Sequence, residues 1–504
     1  MRRRKARRAL PADLLRPPRR RHGESGRPIP DALEKLVLLA GFGLAVVALF
    51  VLRPEDPAPV TLGRVAGATL MVGGSLALLT RYYLAVQRSL FARTRLIFLV
   101  LATSLVVLLT ARLAASIETW PPFGVPIVVA SLLFTICLDR RTAFELTLVL
   151  FGAVTFVFIA GEPHVMPRPP AQVLSVLAPG CLVAIIFGGR IRKRSTLVKI
   201  GAVVGAAHVV ALVAIHLAAG TRTSFTAPDF VGEASWAFAH GIVVGFVLTG
   251  LLPFFENTFE VVTDIRLLEL SSMSHPLLQA LSIRAPGTYH HSLLVGQLSE
   301  AAAEAIGANG LFCRVGAYFH DIGKILRPGF FVENGFYHED KHLAISPGMS
   351  SLVILAHVKD GEELGRLHGL PEPIIDVIRE HQGVGTIDLF YRRALEELGP
   401  KAVDKARFSY PGPRPQTLEN AVVALADSTE AAYRYLSDPS PASVKKTVAK
   451  VIVRKIEEGL LEDAPLTLRQ LRRIEESFVR VLLGIFHTRA ARPAQPQITS
   501  SVES

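Results

Sequence analysis

The sequence predicts an all-α protein in two parts, a polytopic helical membrane half followed by an all-helical soluble half. Three observations carry this. Apolar runs long enough to cross a bilayer follow one another up to about residue 256. Beyond that point the apolar residues recur at helical spacing, glycine, proline and asparagine punctuate the joins, and no strand pattern of comparable strength occurs. Half the residues (50%) are hydrophobic and the mean hydropathy is +0.38, yet 19% are charged, which fits an apolar half joined to an ordinary soluble one.

The chain opens with a basic flexible tail over residues 1–30, carrying Arg2, Arg3, Arg4, Lys5, Arg7, Arg8, Arg16, Arg19, Arg20, Arg21 and Arg27. The membrane domain then occupies 31–256, with about eight spans near 33–52, 62–80, 96–115, 124–138, 142–160, 172–189, 197–219 and 236–255. Loops after the even-numbered spans are basic, as in Arg140-Arg141 and Arg192-Lys193-Arg194. Those after the odd-numbered spans are proline-rich and hold few basic residues. By the positive-inside rule this alternation places the N-terminus, and after an even number of spans the soluble half, in the cytoplasm. The expected location is a cytoplasmic membrane, multi-pass. The basic leader is long for a secretory signal and no small-residue cleavage site follows, so the first span reads as an uncleaved anchor. The net charge of +12 is concentrated in the leader and short loops, where it sets orientation and attracts anionic lipid. The lipid bilayer is therefore an expected partner, and a nucleic acid polymer is not. Three cysteines give neither a disulfide framework nor a metal cage. His208, His216 and His240 fall in or beside spans and read as packed inside the bundle or close to the interface, since no carboxylate is spaced to pair with them.

Residues 257–284 form a charged, amphipathic connector with a break at Ser274-His275-Pro276. The soluble domain, 285–490, reads as helix over Thr288–Ile306, Leu311–Ile322, Ser350–Leu367, Pro371–His381 and Thr417–Leu436, with a flexible tail at 491–504. Its most informative feature is the doublet His320-Asp321. His291 lies upstream, His357 and His381 downstream, and Asp427 further on. Imidazoles with a carboxylate able to bridge are what two closely spaced divalent transition metals require. Such a pair acidifies water and neutralises a phosphoryl group under attack. Lys324 lies one turn beyond His320, placed to meet a phosphate oxygen. His290 adjoins His291, and neighbouring helical positions point about 100° apart, so only one faces the site.

The segments Ala285-Pro286-Gly287-Thr288-Tyr289-His290-His291-Ser292, His320-Asp321-Ile322-Gly323-Lys324, Arg327-Pro328-Gly329-Phe330-Phe331-Val332-Glu333-Asn334, His357-Val358-Lys359-Asp360-Gly361 and Leu425-Ala426-Asp427-Ser428-Thr429-Glu430-Ala431 resemble the HD-domain phosphohydrolases. More narrowly, the chain resembles the bacterial seven-transmembrane receptors with an intracellular HD hydrolase, over roughly residues 96 to 485. Characterised members of that family cleave cyclic di-AMP. The resemblance implies that His291, His320, Asp321 and Asp427 hold one metal while Asp321 bridges to a second held by His357 and His381. It implies two divalent transition metals, Fe or Mn, with Asp321 and Lys324 as the catalytic residues. Lys324, Arg327, Glu333, Asn334, His342 and Gln382 are the substrate-binding candidates, and Phe330, Phe331 and Tyr337 are candidates for stacking a base.

Three departures stand out. The family commonly has two adjacent histidines where this chain reads His381-Gln382, and an acidic residue where it reads Leu343. The large extracellular domain that usually follows the first span is replaced by a short loop near Arg53–Val60. The expected activity is hydrolysis of cyclic di-AMP to linear pApA, regulated by the membrane domain. The alternatives are a cyclic di-GMP phosphodiesterase, whose Gly-Tyr-Pro signature is missing after His381, and a nucleotide-binding membrane sensor with little turnover. A cyclic dinucleotide is the expected substrate, and a homodimer is left open.

Overall fold

The computed structural model describes residues 31–490 except 52–61, 87–93, 118–122, 161–169, 190, 220–224, 226, 336–340 and 438. Both expected tails, the loop near Arg53–Val60 and Tyr337 fall outside the described residues. Those described form eighteen α-helices and no β-strand. They divide between Arg266 and Leu267 into two compact units.

The first unit holds eight helices: α1 (Asp31–Val51), α2 (Leu62–Val86), α3 (Thr94–Ser116), α4 (Ile127–Cys137), α5 (Arg140–Ala160), α6 (Pro170–Phe187), α7 (Arg194–Ala218) and α8 (Pro228–Phe259). Among the described residues, five stretches are long and apolar enough to cross a membrane: Val65–Ala85, Thr94–Ser116, Arg140–Ile159, Arg194–Ala218 and Pro228–Phe259. Leu70, Leu148, Ile159, Val210, Trp236 and Phe246 point outward from these helices, the arrangement expected where the surrounding solvent is lipid. Hydroxyls on these helices bond back to carbonyls of their own turn, as Thr110 to Val106, Ser131 to Ile127 and Thr249 to Gly245. In hydrocarbon no water is available to take that part.

The expected fourth span is a correction. At 11 residues, α4 is about 16 Å long and does not cross alone. It lies between Pro126 and Asp139, whose carboxylate accepts the amides of Arg141 and Thr142 and so starts α5. Eight of its residues are buried, which makes it the apolar-all-round centre of the bundle.

Helices α7 and α8 pack backbone against backbone. A Cβ on Gly241 would lie 2.2 Å from the Gly205 nitrogen, and one on Gly201 would lie 2.4 Å from the Gly241 carbonyl. Small residues at four-residue spacing on both helices permit this approach. Beside the seam His208 is buried and stacks on His240 at 5.3 Å, while Nδ1 of His216 meets the Leu212 carbonyl at 3.0 Å.

The chain passes into the second unit through α9 (Asp264–Leu270), breaks at the expected Ser274-His275-Pro276, and resumes as α10 (Pro276–Arg284), whose first turn is capped by the His275 ring. The rest of the second unit comprises α11 (Pro286–Ile306), α12 (Gly310–Phe319), α13 (Pro347–Leu367), α14 (Glu372–Glu380), α15 (Asp388–Leu398), α16 (Leu418–Arg434), α17 (Pro441–Glu457) and α18 (Leu468–Ala490). Its core gathers Val295, Leu298, Ala317, Val377, Val422 and Phe478 from five of these helices. The helix expected over Leu311–Ile322 stops at Phe319, and the chain tightens into a 3-10 turn, Ile322–Leu326. The cause is a contact: a Cβ on Gly323 would stand 1.9 Å from the His357 carbonyl, so the turn lies directly on the backbone of α13.

The glycine seam gives a paired test. Gly241→Ala should destabilise the membrane unit by about 1–3 kcal/mol through overpacking. Gly250→Ala, with nothing within 4 Å of the added carbon, should not. Thermal unfolding of both variants in detergent measures the difference.

Candidate metal centre

Five helices and one turn deliver six side chains to a common point. His291 comes from α11 and Asp427 from α16. His320 and His381 occupy the C-caps of α12 and α14, Asp321 opens the 3-10 turn, and His357 lies mid-way along α13. All six are buried. His290, one residue from His291, is exposed, as the angular argument requires.

Each imidazole is oriented through its outer nitrogen. Nδ1 of His320, His357 and His381 meets the carbonyl three residues earlier: Ala317 at 2.6 Å, Ile354 at 2.6 Å and Ile378 at 2.8 Å. A carbonyl only accepts, so Nδ1 carries a proton and Nε2 is the nitrogen that faces inward, the one able to offer a lone pair to a metal. In His291 the Nδ1 partner is Glu430 Oε2, at 2.5 Å.

The inward nitrogens meet the carboxylates in two groups. On one side, Asp321 Oδ2 lies 3.2 Å from His320 Nε2 and 3.6 Å from His291 Nε2, which is itself 3.0 Å from Asp427 Oδ1. On the other, Asp321 Oδ1 lies 3.3 Å from His357 Nε2 and 3.7 Å from His381 Nε2. The ligand atoms of His291, His320 and Asp427 all fall within 4.8 Å of one another, as do those of His320, Asp321 and His381.

His320 Nε2 and both Asp321 oxygens are buried without a hydrogen-bond partner. Orphaned buried acceptors are costly, and converging lone pairs from imidazole and carboxylate are the donor set a divalent cation satisfies. The residues therefore fit metal. Carbonyl and carboxylate partners on the outer ring nitrogens complete the pattern seen around metal-bound histidine.

The local electrostatics follow from the crowding. Burial opposes the charge on Asp321, but charged His320 and Lys324 outweigh it and hold the carboxyl well below the usual range. Burial likewise opposes charge on His320, while Asp321 and Asp427 push its pKa up to about 10. His381, buried and facing His320, is pushed down to about 3. The Lys324 ammonium reaches Asp321 Oδ2 at 2.7 Å as an ion pair, without the alignment of a hydrogen bond, and donates to Glu333 Oε1 at 2.8 Å.

The remaining candidates lie in different settings. Gln382 donates to Asp427 Oδ2 at 3.2 Å, so it touches a candidate ligand rather than open space. Glu333 accepts from Lys324 and from the Thr288 hydroxyl. Asn334 is buried; it accepts the Thr288 amide at 3.0 Å and donates to the Pro328 carbonyl at 3.2 Å, fastening the first turn of α11. Gly287 beside it admits this contact, since a Cβ there would lie 1.8 Å from the Glu333 carbonyl. Arg327 pairs with Asp360 at 2.5 Å with its side chain 43% exposed. The His342 ring packs on Phe330 and Phe390 and meets the Phe330 carbonyl. Phe331 covers the edge of His357 and lies under Lys324, so it packs on the cluster.

The sequence reading gave no role to Glu430, Arg434 or Tyr410. Glu430 lies three residues beyond Asp427 on one face of α16, a spacing that could have revealed it. Tyr410 packs edge-on to His357 from a distant loop, and burial raises its hydroxyl pKa; no sequence signal marks it.

Residues 62–263 match the family model described as 7TM receptor with intracellular HD hydrolase, and residues 288–432 match that of the HD domain. The chain belongs to this family. It is a multi-pass membrane protein carrying an HD domain, a fold that binds divalent metal. It is 32% identical over 439 residues to the cyclic-di-AMP phosphodiesterase PgpH of Bacillus subtilis, covering 85% of this chain and 60% of that one. It is 39% identical over 258 residues to PgpH of Listeria monocytogenes, covering 51% and 36%. The chain thus spans less than two thirds of either relative. The crystal structure of the L. monocytogenes PgpH HD domain in complex with cyclic-di-AMP is 39% identical, covers 43% of this chain and 100% of that one, and superposes with a TM-score of 0.41.

Removing the Asn334 fastener leaves the buried Thr288 amide unpaired. Asn334→Ala should cost about 1–3 kcal/mol in urea unfolding, whereas Arg327→Ala, which breaks an exposed pair, should cost under about 1 kcal/mol.

Proposed function

We propose that this chain is a membrane-anchored, metal-dependent phosphodiesterase that hydrolyses cyclic di-AMP to linear pApA. The observation that carries the reading is the division of Asp321: one carboxylate oxygen faces His291 and His320, the other His357 and His381. That is the ligand set for two cations sharing one bridge. His291, His320, Asp321 and Asp427 would hold one, and Asp321, His357 and His381 the other. Iron or manganese suits this mixture of imidazole and carboxylate. When bound, such a pair supplies Lewis acidity to the phosphate and lowers the pKa of attacking water.

Hydrolysis adds water across a P–O3′ bond, leaving a 3′ hydroxyl and a 5′ phosphate. The chain's own contribution is largely positioning. Lys324 carries a fixed positive charge beside Asp321, where negative charge on the phosphoryl oxygens increases during attack. Glu333 and Phe331 hold that ammonium in place. Gln382 fixes Asp427 by its second oxygen, an orienting role. Arg327 and His342 lie further out, where they can meet the rest of a dinucleotide. The kinship with two PgpH enzymes supports cyclic di-AMP as substrate. The basic loops support a cytoplasmic HD domain and N-terminus, the membrane half acting as anchor and regulator.

The test uses full-length protein in detergent, loaded with Mn(II) or Fe(II) and offered cyclic di-AMP and cyclic di-GMP separately. Conversion of cyclic di-AMP to pApA is the expected result; turnover of neither would overturn the proposal. Asp321→Ala should lose both hydrolysis and bound metal, because it removes the shared ligand. Lys324→Ala should lower kcat about 10²- to 10³-fold, the cost of removing a charge-stabilising donor, with metal content unchanged on elemental analysis.

A further inference from the structure

We infer that Glu430, itself held by Arg434, is the positioning residue that makes His291 a metal ligand, and that it sets the cation affinity of one of the two sites. The inference rests on the two-cation reading above. It begins with a difference among the four histidines. Three of them lean on a carbonyl of their own helical turn, a partner no side-chain change removes. His291 stands in the second turn of α11, where the ring instead meets a carboxylate 139 positions later in the chain. Its orientation alone depends on a side chain brought in by tertiary packing.

The relay has a defined direction. Glu430 Oε2 lies 2.5 Å from His291 Nδ1, and Arg434 Nη2 lies 2.6 Å from that same oxygen. Arg434 Nη2 is also 3.0 Å from His291 Nδ1, so two proton arrangements are conceivable there. A carboxylate paired with a guanidinium 2.6 Å away acts as an acceptor. The shorter contact therefore places the proton on Nδ1, pointing at Glu430, and Arg434 spends its hydrogen on the carboxylate. Nε2 is left bare 3.0 Å from Asp427 and 3.6 Å from Asp321. A carboxylate behind the ring also raises the basicity of the ligating nitrogen. Asp427 and Glu430 are neighbours on one face of α16, so a single helix presents a candidate ligand and the group that orients another.

The outer side of this relay opens on a cavity of about 300 Å³ lined by His290, His291, Glu333, Glu430, Tyr433 and Arg434. Arg434 is consequently 32% exposed while Glu430 is only 5% exposed. Water reaches the clamp but not the carboxylate it clamps.

The experiment titrates Mn(II) into metal-free full-length protein and follows binding by electron paramagnetic resonance, with thermal unfolding recorded in parallel. Wild type should bind two ions. Glu430→Ala should weaken one of them about 10- to 100-fold and reduce the signature of nitrogen coordinated to manganese. Glu430→Gln keeps an oxygen that can accept from Nδ1 and should recover most of the affinity. Two sites of wild-type affinity in Glu430→Ala would overturn the inference, as would a fall in thermal midpoint with unchanged binding, which marks a purely structural residue. Failure of the wild type to bind Mn(II) would overturn the two-cation reading itself and is visible before any variant is made.

Discussion

Asp321 places a carboxylate at the centre of the second unit with neither oxygen hydrogen-bonded by the protein. Burying such a group unaided is among the larger penalties a fold can carry. Its surroundings answer that penalty with four imidazole nitrogens and one ammonium, brought from separate helices. Divalent cations complete the compensation, because they satisfy in one step the carboxylate and the ring nitrogens that the protein leaves facing inward. The arrangement couples metal to fold: the same contacts that position the ligands hold α11, α12, α13, α14 and α16 around one point.

Absent side chains are as important here as present ones. Gly323 lets the turn after Asp321 rest on the α13 backbone, and a Cβ there would strike the carbonyl of His357, a candidate ligand. Gly287 lets the start of α11 meet the Glu333 carbonyl, which brings His291 and Lys324 into one neighbourhood through Thr288 and Glu333. Gly201, Gly205, Gly241 and Gly245 serve the membrane unit in the same way, packing α7 on α8 where lipid offers no hydrophobic drive for helices to associate. At 32 residues α8 is about 48 Å long, more than a hydrocarbon core requires.

Much of this was legible in the sequence. Eight apolar stretches became eight helices, and the strongest soluble periodicities became α11, α13, α14 and α16 to within a few residues. The exceptions have local causes. α4 is cut short by Pro126 and by the Asp139 cap that begins α5, and it was overestimated because hydropathy does not separate a lipid-facing helix from a bundle core. The helix through His320 ended early because a tertiary glycine contact, invisible to periodicity, draws the chain into a 3-10 turn. Asn334 and Gln382 read as substrate-facing polar residues, and the structure gives them the Thr288 amide and Asp427 as partners. A polar residue in a loop announces that it will bond, not to what.

The sequence by itself determined the order of helices, the membrane character of the first half, and the six metal-binding candidates, since residue type, order and helical phase follow from local chemistry. Only the tertiary structure decided which ring nitrogen faces inward, how Asp321 divides its two oxygens, and that Glu430 stands behind His291. Asp321 meets partners 30, 36 and 60 positions away, and Glu430 is 139 positions from His291. These relations are fixed by packing at the scale of a hydrogen bond, and no one-dimensional pattern encodes distances of that size.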